Sequence, residues 1–362
     1  MTDWETDNAL TRPLGVIVAG VLLVLLMYGV FAWGSALFGG NKVPPVAKQS
    51  TSQNAPPQPT PTNVVTETHD NPRINIRSLP RIKPETLRNV TYATVDGRDL
   101  KIDMYLPDRT LGPVPVVLWF HGGAWDMGNK IDGMYPARFL VPRGIALVSV
   151  QYRFSRNATF PAQIQDARAA VQFVRHNAKK YHLNATRIGA WGASSGGHLA
   201  ALLAYADDDA FPETPHTIAG DTDRSANTIS TRIQAVCDWF GPTDLTLAIE
   251  ASKTRPNDWR VRTLERLFGK PIHESMEIAT LASPITHVSS DDPPTLIMHG
   301  LKDSIVDPDQ SRELFAALRA VNVKASLEIK QNSGHSFVMP WIYVRVVRFF
   351  QRELGPVKAV KW

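Results

Sequence analysis

The sequence is poor in the residues and motifs that bind metals or cofactors. Its 362 residues include one cysteine, Cys237, so neither an internal disulfide nor a cysteine-ligated zinc site is possible within the chain. The acidic run at 207–209 lacks the alternating ligand spacing of a calcium loop and is interpreted as a solvated turn. No phosphate-binding loop, dinucleotide fingerprint or internal repeat occurs. The sequence therefore predicts no metal and no cofactor.

Positive charge is only slightly in excess of negative charge. The chain has 39 Lys and Arg against 34 Asp and Glu, a net charge of +5, and the basic residues are scattered among the acidic ones. A nucleic-acid partner is not expected, because no basic helix or RNA-binding motif is present. Aromatic residues are plentiful, with 14 Phe, 9 Trp and 8 Tyr, and they can supply a hydrophobic core. Disorder throughout the chain is therefore excluded.

A long apolar run lies near the N-terminus. Leu14–Phe38 comprises 25 consecutive uncharged residues. As a helix this run would be roughly 37 Å long, enough to cross a hydrocarbon core of about 30 Å. It is longer than the apolar part of a signal peptide, and Arg12 is the only basic residue before it. The sequence favours an uncleaved transmembrane anchor, while the small residues Gly34 and Ala36 leave open a cleaved signal peptide.

A tether of low complexity follows the apolar run. Residues 39–72 are rich in Pro, Thr, Gln, Asn and Ser, a composition that cannot bury a core and favours an extended chain. Basic residues flank the apolar run on both sides, so the positive-inside rule does not fix its orientation. We expect a membrane-anchored protein whose globular part lies on the exported side, periplasmic or extracellular. The predicted organisation is a tail at 1–13, an anchor at 14–38, a linker at 39–84, a globular domain at 85–355 and a tail at 356–362.

Short apolar runs alternate with amphipathic segments in the globular part. Val90–Val95 and Leu100–Leu106 flank Asp96-Gly97 and predict a β-hairpin. Pro161–Tyr181 carries apolar residues at spacings of three and four, which predicts a helix that begins at the proline. The pattern predicts an α/β fold with a mostly parallel central sheet flanked by helices. Further strands are predicted at 114–120, 145–151, 188–191, 233–240, 295–298 and 325–329, and further helices at 196–206, 308–320 and 340–353.

The sequence GASSG at 192–196 follows a predicted strand and precedes a predicted helix. This is the context of a G-x-S-x-G nucleophile elbow. In so tight a turn the serine has strained backbone angles, and side chains at Gly192 and Gly196 would collide with neighbouring strands. The serine hydroxyl is then exposed, with a helix N-terminus directed at developing negative charge. Ser194 is the predicted nucleophile, because Ser195 is one residue out of the glycine spacing.

The sequence HGGAW at 121–125 directly follows another predicted strand. Two glycines after a strand let backbone N–H groups turn toward a reacting group. The N–H groups of Gly122, Gly123 and Ser195 are the predicted oxyanion hole. Trp125 is a candidate substrate-binding residue, although it could equally belong to the core.

A serine nucleophile needs a general base, and the base needs an orienting carboxylate. In the elbow architecture the acid and then the histidine follow the serine along the chain. His335 lies in a loop of small residues before the last predicted helix and is the predicted base. Asp303 follows a predicted strand and is the predicted acid. Asp244, Asp307 and Asp309 remain competing carboxylates.

Together these motifs resemble the α/β-hydrolase fold of the esterase/lipase superfamily, most closely the bifunctional feruloyl and acetyl-xylan esterase-like domains near the hormone-sensitive-lipase-like group. The resemblance covers about residues 86–354 and implies Ser194, Asp303 and His335 as a catalytic triad. It also implies the oxyanion donors named above and a small-molecule ester as substrate. Ala124 departs from the pattern, because related enzymes often carry a third glycine there. The motifs are HGGAW at 121–125, QYRFS at 151–155, PAQIQDARAAVQFVR at 161–175, GASSGGHLAALLA at 192–204, DWFGPTDL at 238–245, ASPITHVSSDDPPTLIMHGLKDSIV at 282–306 and SGHSF at 333–337.

Several segments surround the predicted site. Residues 246–290 interrupt the alternation of strands and helices and are expected to form a cap or the rim of the site. Phe337 is a candidate substrate-binding residue, although a residue that leads into a helix is more often part of the core. His121 and His198 are expected to tie loops together through hydrogen bonds.

The sequence thus predicts a membrane-tethered serine hydrolase that cleaves acetyl, short-acyl or feruloyl esters through an acyl-enzyme. An amidase or peptidase with the same triad remains an alternative. A non-catalytic binding domain tethered to the membrane is a second alternative, although such relatives usually lose a member of the triad.

Overall fold

The computed structural model of the chain describes residues 85–108, 111–211, 216–222, 225–337 and 339–355. The predicted N-terminal tail, anchor and linker, which together span 1–84, lie outside these residues, as does the predicted tail at 356–362. Within the described part, no helix combines the length and the apolar character that a bilayer crossing requires.

A mixed sheet forms the centre of the described part. Its strands are β1 (Glu85–Val95), β2 (Arg98–Leu106), β3 (Val114–Phe120), β4 (Ala146–Val150), β5 (Leu183–Ala193), β6 (Thr217–Ile218), β7 (Ala235–Trp239), β8 (Thr295–Gly300) and β9 (Ala325–Lys330). The strand order is β6-β1-β2-β4-β3-β5-β7-β8-β9. Five of its eight pairings are parallel, and the antiparallel pairings are those of β1 with β2, β1 with β6 and β2 with β4. The prediction of a mostly parallel sheet is confirmed.

The hairpin of β1 and β2 forms where the sequence predicts it. Asp96 and Gly97 have φ angles of 50° and 72°, and two successive residues in the left-handed region are what a type I′ turn requires. The short strand β6 was not predicted. It pairs with Ala93 and Thr94 of β1, so it depends on a partner that is distant in the sequence.

Helices cover both faces of the sheet. They are α1 (Met134–Leu140), α2 (Ala162–His176), α3 (Ser195–Tyr205), α4 (Thr246–Ser252), α5 (Trp259–Phe268), α6 (Met276–Leu281), α7 (Pro308–Ala320) and α8 (Pro340–Glu353). Helix α2 ends five residues before the predicted end at 181. The side-chain amide of Asn177 donates to Phe173 O and to Ala219 O, each at 3.1 Å, and so satisfies a carbonyl in the last turn.

Two hydrophobic cores lie on the opposite faces of the sheet. Successive residues from Val116 to Trp119 belong alternately to one core and to the other, as the period of a strand requires. Helices α2, α3 and α7 contribute to the larger core, and α1 and α8 contribute to the smaller one. In the smaller core the ring of Trp191 meets those of Trp119 and Trp239 edge to face, at centroid distances of 5.1 and 4.8 Å. Cys237 is buried in the same core, and burial raises the pKa of its thiol.

Candidate active site

Ser194 occupies the turn between β5 and α3, with a φ of 56° and a ψ of −124°. A residue other than glycine pays about 1–3 kcal/mol for such a conformation, so the surrounding structure must hold it. Two backbone hydrogen bonds do so. The Ser194 N–H donates to Trp239 O at 2.9 Å, and Ser194 O accepts from the His198 N–H at 3.0 Å. The turn therefore presents the serine side chain beyond the carboxyl end of β5.

The glycines on either side of Ser194 are required by close backbone approaches. A Cβ on Gly196 would lie 2.0 Å from Phe120 O, which belongs to the neighbouring strand β3. A Cβ on Gly192 would lie 2.0 Å from Gly196 O. The sequence pattern predicts that both glycines avoid a collision with neighbouring strands. That reason holds for Gly196, whereas Gly192 makes room for the first turn of α3.

The structure brings Ser194, His335 and Asp303 into one chain of hydrogen bonds. Nε2 of His335 lies 2.8 Å from Ser194 Oγ, and Nδ1 of the same ring lies 2.7 Å from Asp303 Oδ2. Since a carboxylate only accepts, Nδ1 carries the proton and donates to Asp303. Nε2 is then free to accept from the serine hydroxyl. This is the tautomer that a general base for Ser194 requires.

The Asp303 carboxylate is buried and accepts hydrogen bonds at both oxygens. Oδ1 accepts from the backbone N–H groups of Ile305 at 2.8 Å and Val306 at 3.1 Å. Oδ2 accepts from two imidazoles, those of His335 and His299. Burial by itself would raise the pKa of Asp303, but the hydrogen bonds from His299 and His335 outweigh it and hold the pKa well below its usual range. The group is a carboxylate at neutral pH.

The competing carboxylates make other contacts. Asp244 Oδ1 accepts from the backbone and hydroxyl of Thr246, at 2.9 and 2.6 Å. Asp307 caps helix α7 and accepts from the Asp309 N–H at 3.0 Å, and Asp309 forms an ion pair with Arg312. Asp303 is thus the one of the four in hydrogen-bond contact with His335.

His299 contacts the acid in a way that the sequence analysis did not predict. Its Nε2 lies 3.0 Å from Asp303 Oδ2 and 3.1 Å from Val306 O, so this nitrogen carries the proton. Its Nδ1 lies 2.6 Å from Ser311 Oγ, which donates to it. The sequence feature that could have indicated this contact is the position of the histidine at the end of a strand, four residues before the acid.

The loop at 121–125 passes beside the nucleophile. A Cβ on Gly122 would lie 3.3 Å from Ser194 Cβ, so this backbone is packed against the serine. Gly123 has a φ of 126°, and its carbonyl accepts from the Met127 N–H at 3.0 Å. Ser195 is the first residue of α3, a position whose N–H has no acceptor within its own helix.

Two buried histidines pack around this loop. The His198 ring ties separate segments together through hydrogen bonds, as the sequence predicts, whereas the His121 ring bonds to Gly122 O, its neighbour in the chain. His121 stacks on Tyr152 at a centroid distance of 4.5 Å, and the Tyr152 hydroxyl donates to His121 O at 2.9 Å. His198 Nδ1 accepts from Trp125 Nε1 at 3.1 Å, and its Nε2 donates to Ala282 O at 2.7 Å. Burial lowers the pKa of both histidines to about 4. Both are therefore neutral at pH 7.

A cavity of about 100 Å³ opens beside Ser194. Trp125 lines it, although that ring is also largely buried. Residues 246–290, the segment predicted as a cap or rim, contribute part of the wall. The residues of this segment that line the cavity are Ala248, Trp259, Arg260, Thr263 and Leu264.

Phe337, a predicted substrate-binding residue, is not among the residues that line this cavity. It lies in the smaller core, with its ring 5.1 Å from Trp239 and 5.0 Å from Phe240. The side chain of Phe337, two residues after His335, therefore packs in the core beneath the loop that carries the histidine.

The mostly parallel sheet, the turn at Ser194 and the loop at 121–125 define an α/β-hydrolase fold. Two solved structures share it. A bifunctional GH43-CE protein of Bacteroides eggerthii is 30% identical with a TM-score of 0.64, and the match covers 75% of this chain and 38% of that one. A truncated carbohydrate esterase from gut microbiota is 30% identical with a TM-score of 0.63, and the match covers 75% of this chain and 96% of that one.

Sequence comparison identifies the family. The family model BD-FAE matches residues 102–318, and the chain belongs to this family. The probable carboxylic ester hydrolase LipM of Mycobacterium tuberculosis is 33% identical over 230 residues, which are 62% of this chain and 50% of the relative. The chain spans about half the length of the curated relatives that it matches.

Proposed function

We propose that this chain is a serine carboxylic ester hydrolase that works through an acyl-enzyme. The observation that carries the proposal is the continuous chain of hydrogen bonds from Ser194 through His335 to Asp303, beside a cavity. The relatives support it, because LipM is named a probable carboxylic ester hydrolase and the gut-microbiota protein a carbohydrate esterase.

In the proposed mechanism Ser194 Oγ attacks the ester carbonyl while His335 Nε2 takes its proton. Asp303 keeps the imidazole in the required tautomer and stabilises the imidazolium. The N–H groups of Gly122, Gly123 and Ser195 donate to the oxyanion. The imidazolium then protonates the departing alcohol, and a water activated by His335 hydrolyses the acyl-enzyme.

The cavity favours a short acyl group. Its volume is about 100 Å³, whereas an engineered protein cavity that accommodates benzene measures about 150 Å³. An acetyl or similarly short acyl group fits this space. Acetyl and other short-acyl esters are the proposed substrates.

The mechanism is tested by Ser194→Ala. Without the hydroxyl no acyl-enzyme can form, so kcat for p-nitrophenyl acetate should fall by at least about 10⁴-fold. Labelling by a fluorophosphonate probe should also disappear. Ser290→Ala, which removes an exposed hydroxyl, is the matched control and should retain both activities. Retained labelling of the Ser194→Ala variant would place the nucleophile elsewhere.

We also propose that residues 14–38 anchor the protein in a membrane and that the catalytic domain lies on the exported side. The 25 uncharged residues support the anchor, since their helical length exceeds the hydrocarbon core. The Pro- and Thr-rich linker that follows supports a domain held away from the bilayer.

A further inference from the structure

Two of the tryptophans that the structure describes, Trp259 and Trp341, are exposed. Trp119, Trp125, Trp191 and Trp239 are buried, whereas 50% of the Trp259 surface is exposed. Trp259 also lines the cavity beside Ser194. The ring is large and apolar, it is open to solvent, and it faces a cavity. A ligand can therefore cover it.

Helix α5 holds Trp259 in place. Asp258 caps the helix by accepting from the Arg260 N–H at 2.9 Å, and its carboxylate binds the Arg260 guanidinium at Nε, at 3.0 Å, and Nη2, at 2.6 Å. Farther along the helix, Leu264 and Leu267 are buried in the larger core. The tryptophan is therefore the first residue of a capped helix whose later residues are anchored in the larger core.

The cavity that Trp259 lines also contains polar side chains, among them Arg260 and Gln310. An apolar ring in a cavity that also offers hydrogen-bonding groups suits a six-membered ring that has an apolar face and polar substituents at its edge. A pyranose and a substituted aryl ring share this chemistry.

The acyl and alcohol parts of an ester leave the enzyme at different steps. The acyl group stays on Ser194 until water cleaves it, whereas the alcohol must leave first. An open position such as that of Trp259 suits the group that leaves.

We propose that Trp259 is a specificity-determining residue, which stacks against a six-membered ring in the alcohol part of the ester. The proposal rests on the proposed esterase function. It assigns the ring to the leaving group, at the half-exposed side chain of Trp259.

The test compares Trp259→Ala with the wild-type full chain on three acetate esters, those of a methyl pyranoside, of p-nitrophenol and of ethanol. For ring-bearing alcohols kcat/KM should fall about tenfold, which corresponds to about 1.4 kcal/mol. For ethyl acetate it should not change. The deacylation rate after a p-nitrophenyl acetate burst should also stay constant, because the alcohol has already left. Trp259→Phe should restore most of the loss.

Trp341→Ala is the matched control, because Trp341 is 46% exposed and does not line the cavity. A loss for the pyranoside alone identifies a sugar as the ring, and a loss for the aryl ester alone identifies an aryl group. Equal losses on all three esters, no loss on any, or a changed deacylation rate would overturn the proposal. A wild-type chain that hydrolyses none of the esters and is not labelled by the fluorophosphonate would instead refute the esterase function.

Discussion

The carboxylate of Asp303 shows how much of the proposed chemistry depends on single atoms. Each of its oxygens accepts two hydrogen bonds, from two backbone N–H groups and from two imidazoles. The carboxylate fixes the proton of His335 on Nδ1 because it has no proton of its own to offer. An amide in its place can donate as well as accept, so it would permit the wrong tautomer.

Asp303→Asn should therefore lower kcat by up to about 10⁴-fold while the fold is retained. Asp244→Asn is the matched control, because Asp244 accepts from Thr246 and makes no hydrogen bond to His335. Steady-state kinetics with p-nitrophenyl acetate and circular dichroism of both variants give the comparison. A large loss in Asp244→Asn and a small one in Asp303→Asn would reassign the acid.

Burial of His198 links stability to pH. Its pKa is about 4 in the folded protein, against about 6.5 when unfolded. Between these values the unfolded chain binds a proton that the folded one excludes, so the stabilisation present above pH 6.5 is lost as the pH falls toward 4. This loss amounts to roughly 3 kcal/mol.

The free energy of unfolding of the wild type minus that of His198→Gln should decrease by this amount from pH 7 to pH 4, in urea titrations. The difference between the two proteins is the quantity to compare, because burial also raises the pKa of Asp238 to about 7 and that of Asp292 to about 6. These carboxyls stabilise the fold as the pH falls and oppose the histidine. A difference independent of pH would contradict the prediction.

At the scale of elements, the turn between β5 and α3 has no space for a methyl group at Gly196. A Cβ there would lie 2.0 Å from Phe120 O, and backbone atoms of a central strand cannot move aside cheaply. Gly196→Ala should reduce the free energy of unfolding by about 3 kcal/mol or more. Gly334→Ala is the control, since its Cβ would have Lys302 O at 3.5 Å as its nearest neighbour. Chemical denaturation of both variants tests the contrast, and equal stabilities would refute it.

Elements whose signals are local could be predicted from the sequence. Asp96-Gly97 specifies its hairpin turn, and the glycines at 192 and 196 specify the elbow. The end of α2 at His176 could not be predicted, because Asn177 stops the helix with an amide that also reaches Ala219, a residue distant in sequence. The same limit applies to Phe337 and His299. Whether an aromatic residue lines a cavity, or a histidine meets an acid, depends on how separate segments pack.

At the scale of the whole molecule, the proposed anchor makes a prediction about fractionation. If residues 14–38 cross a bilayer, the full chain should stay with membranes after carbonate extraction, because burying that run stabilises insertion. A C-terminal tag should be accessible to protease from the exported side. A soluble chain shortened at its N-terminus would show instead that the segment is a cleaved signal peptide.

The burial of Cys237 makes the protein suited to site-specific labelling. It is the sole thiol of the chain, it lies in a closed core, and its raised pKa leaves almost no reactive thiolate. Maleimide dyes or nitroxide spin labels should therefore not react with the thiol of the folded native protein. A cysteine introduced at an exposed position such as Met276 would be the only attachment point, so distances from the globular part to a labelled lipid could be measured without first removing a native residue.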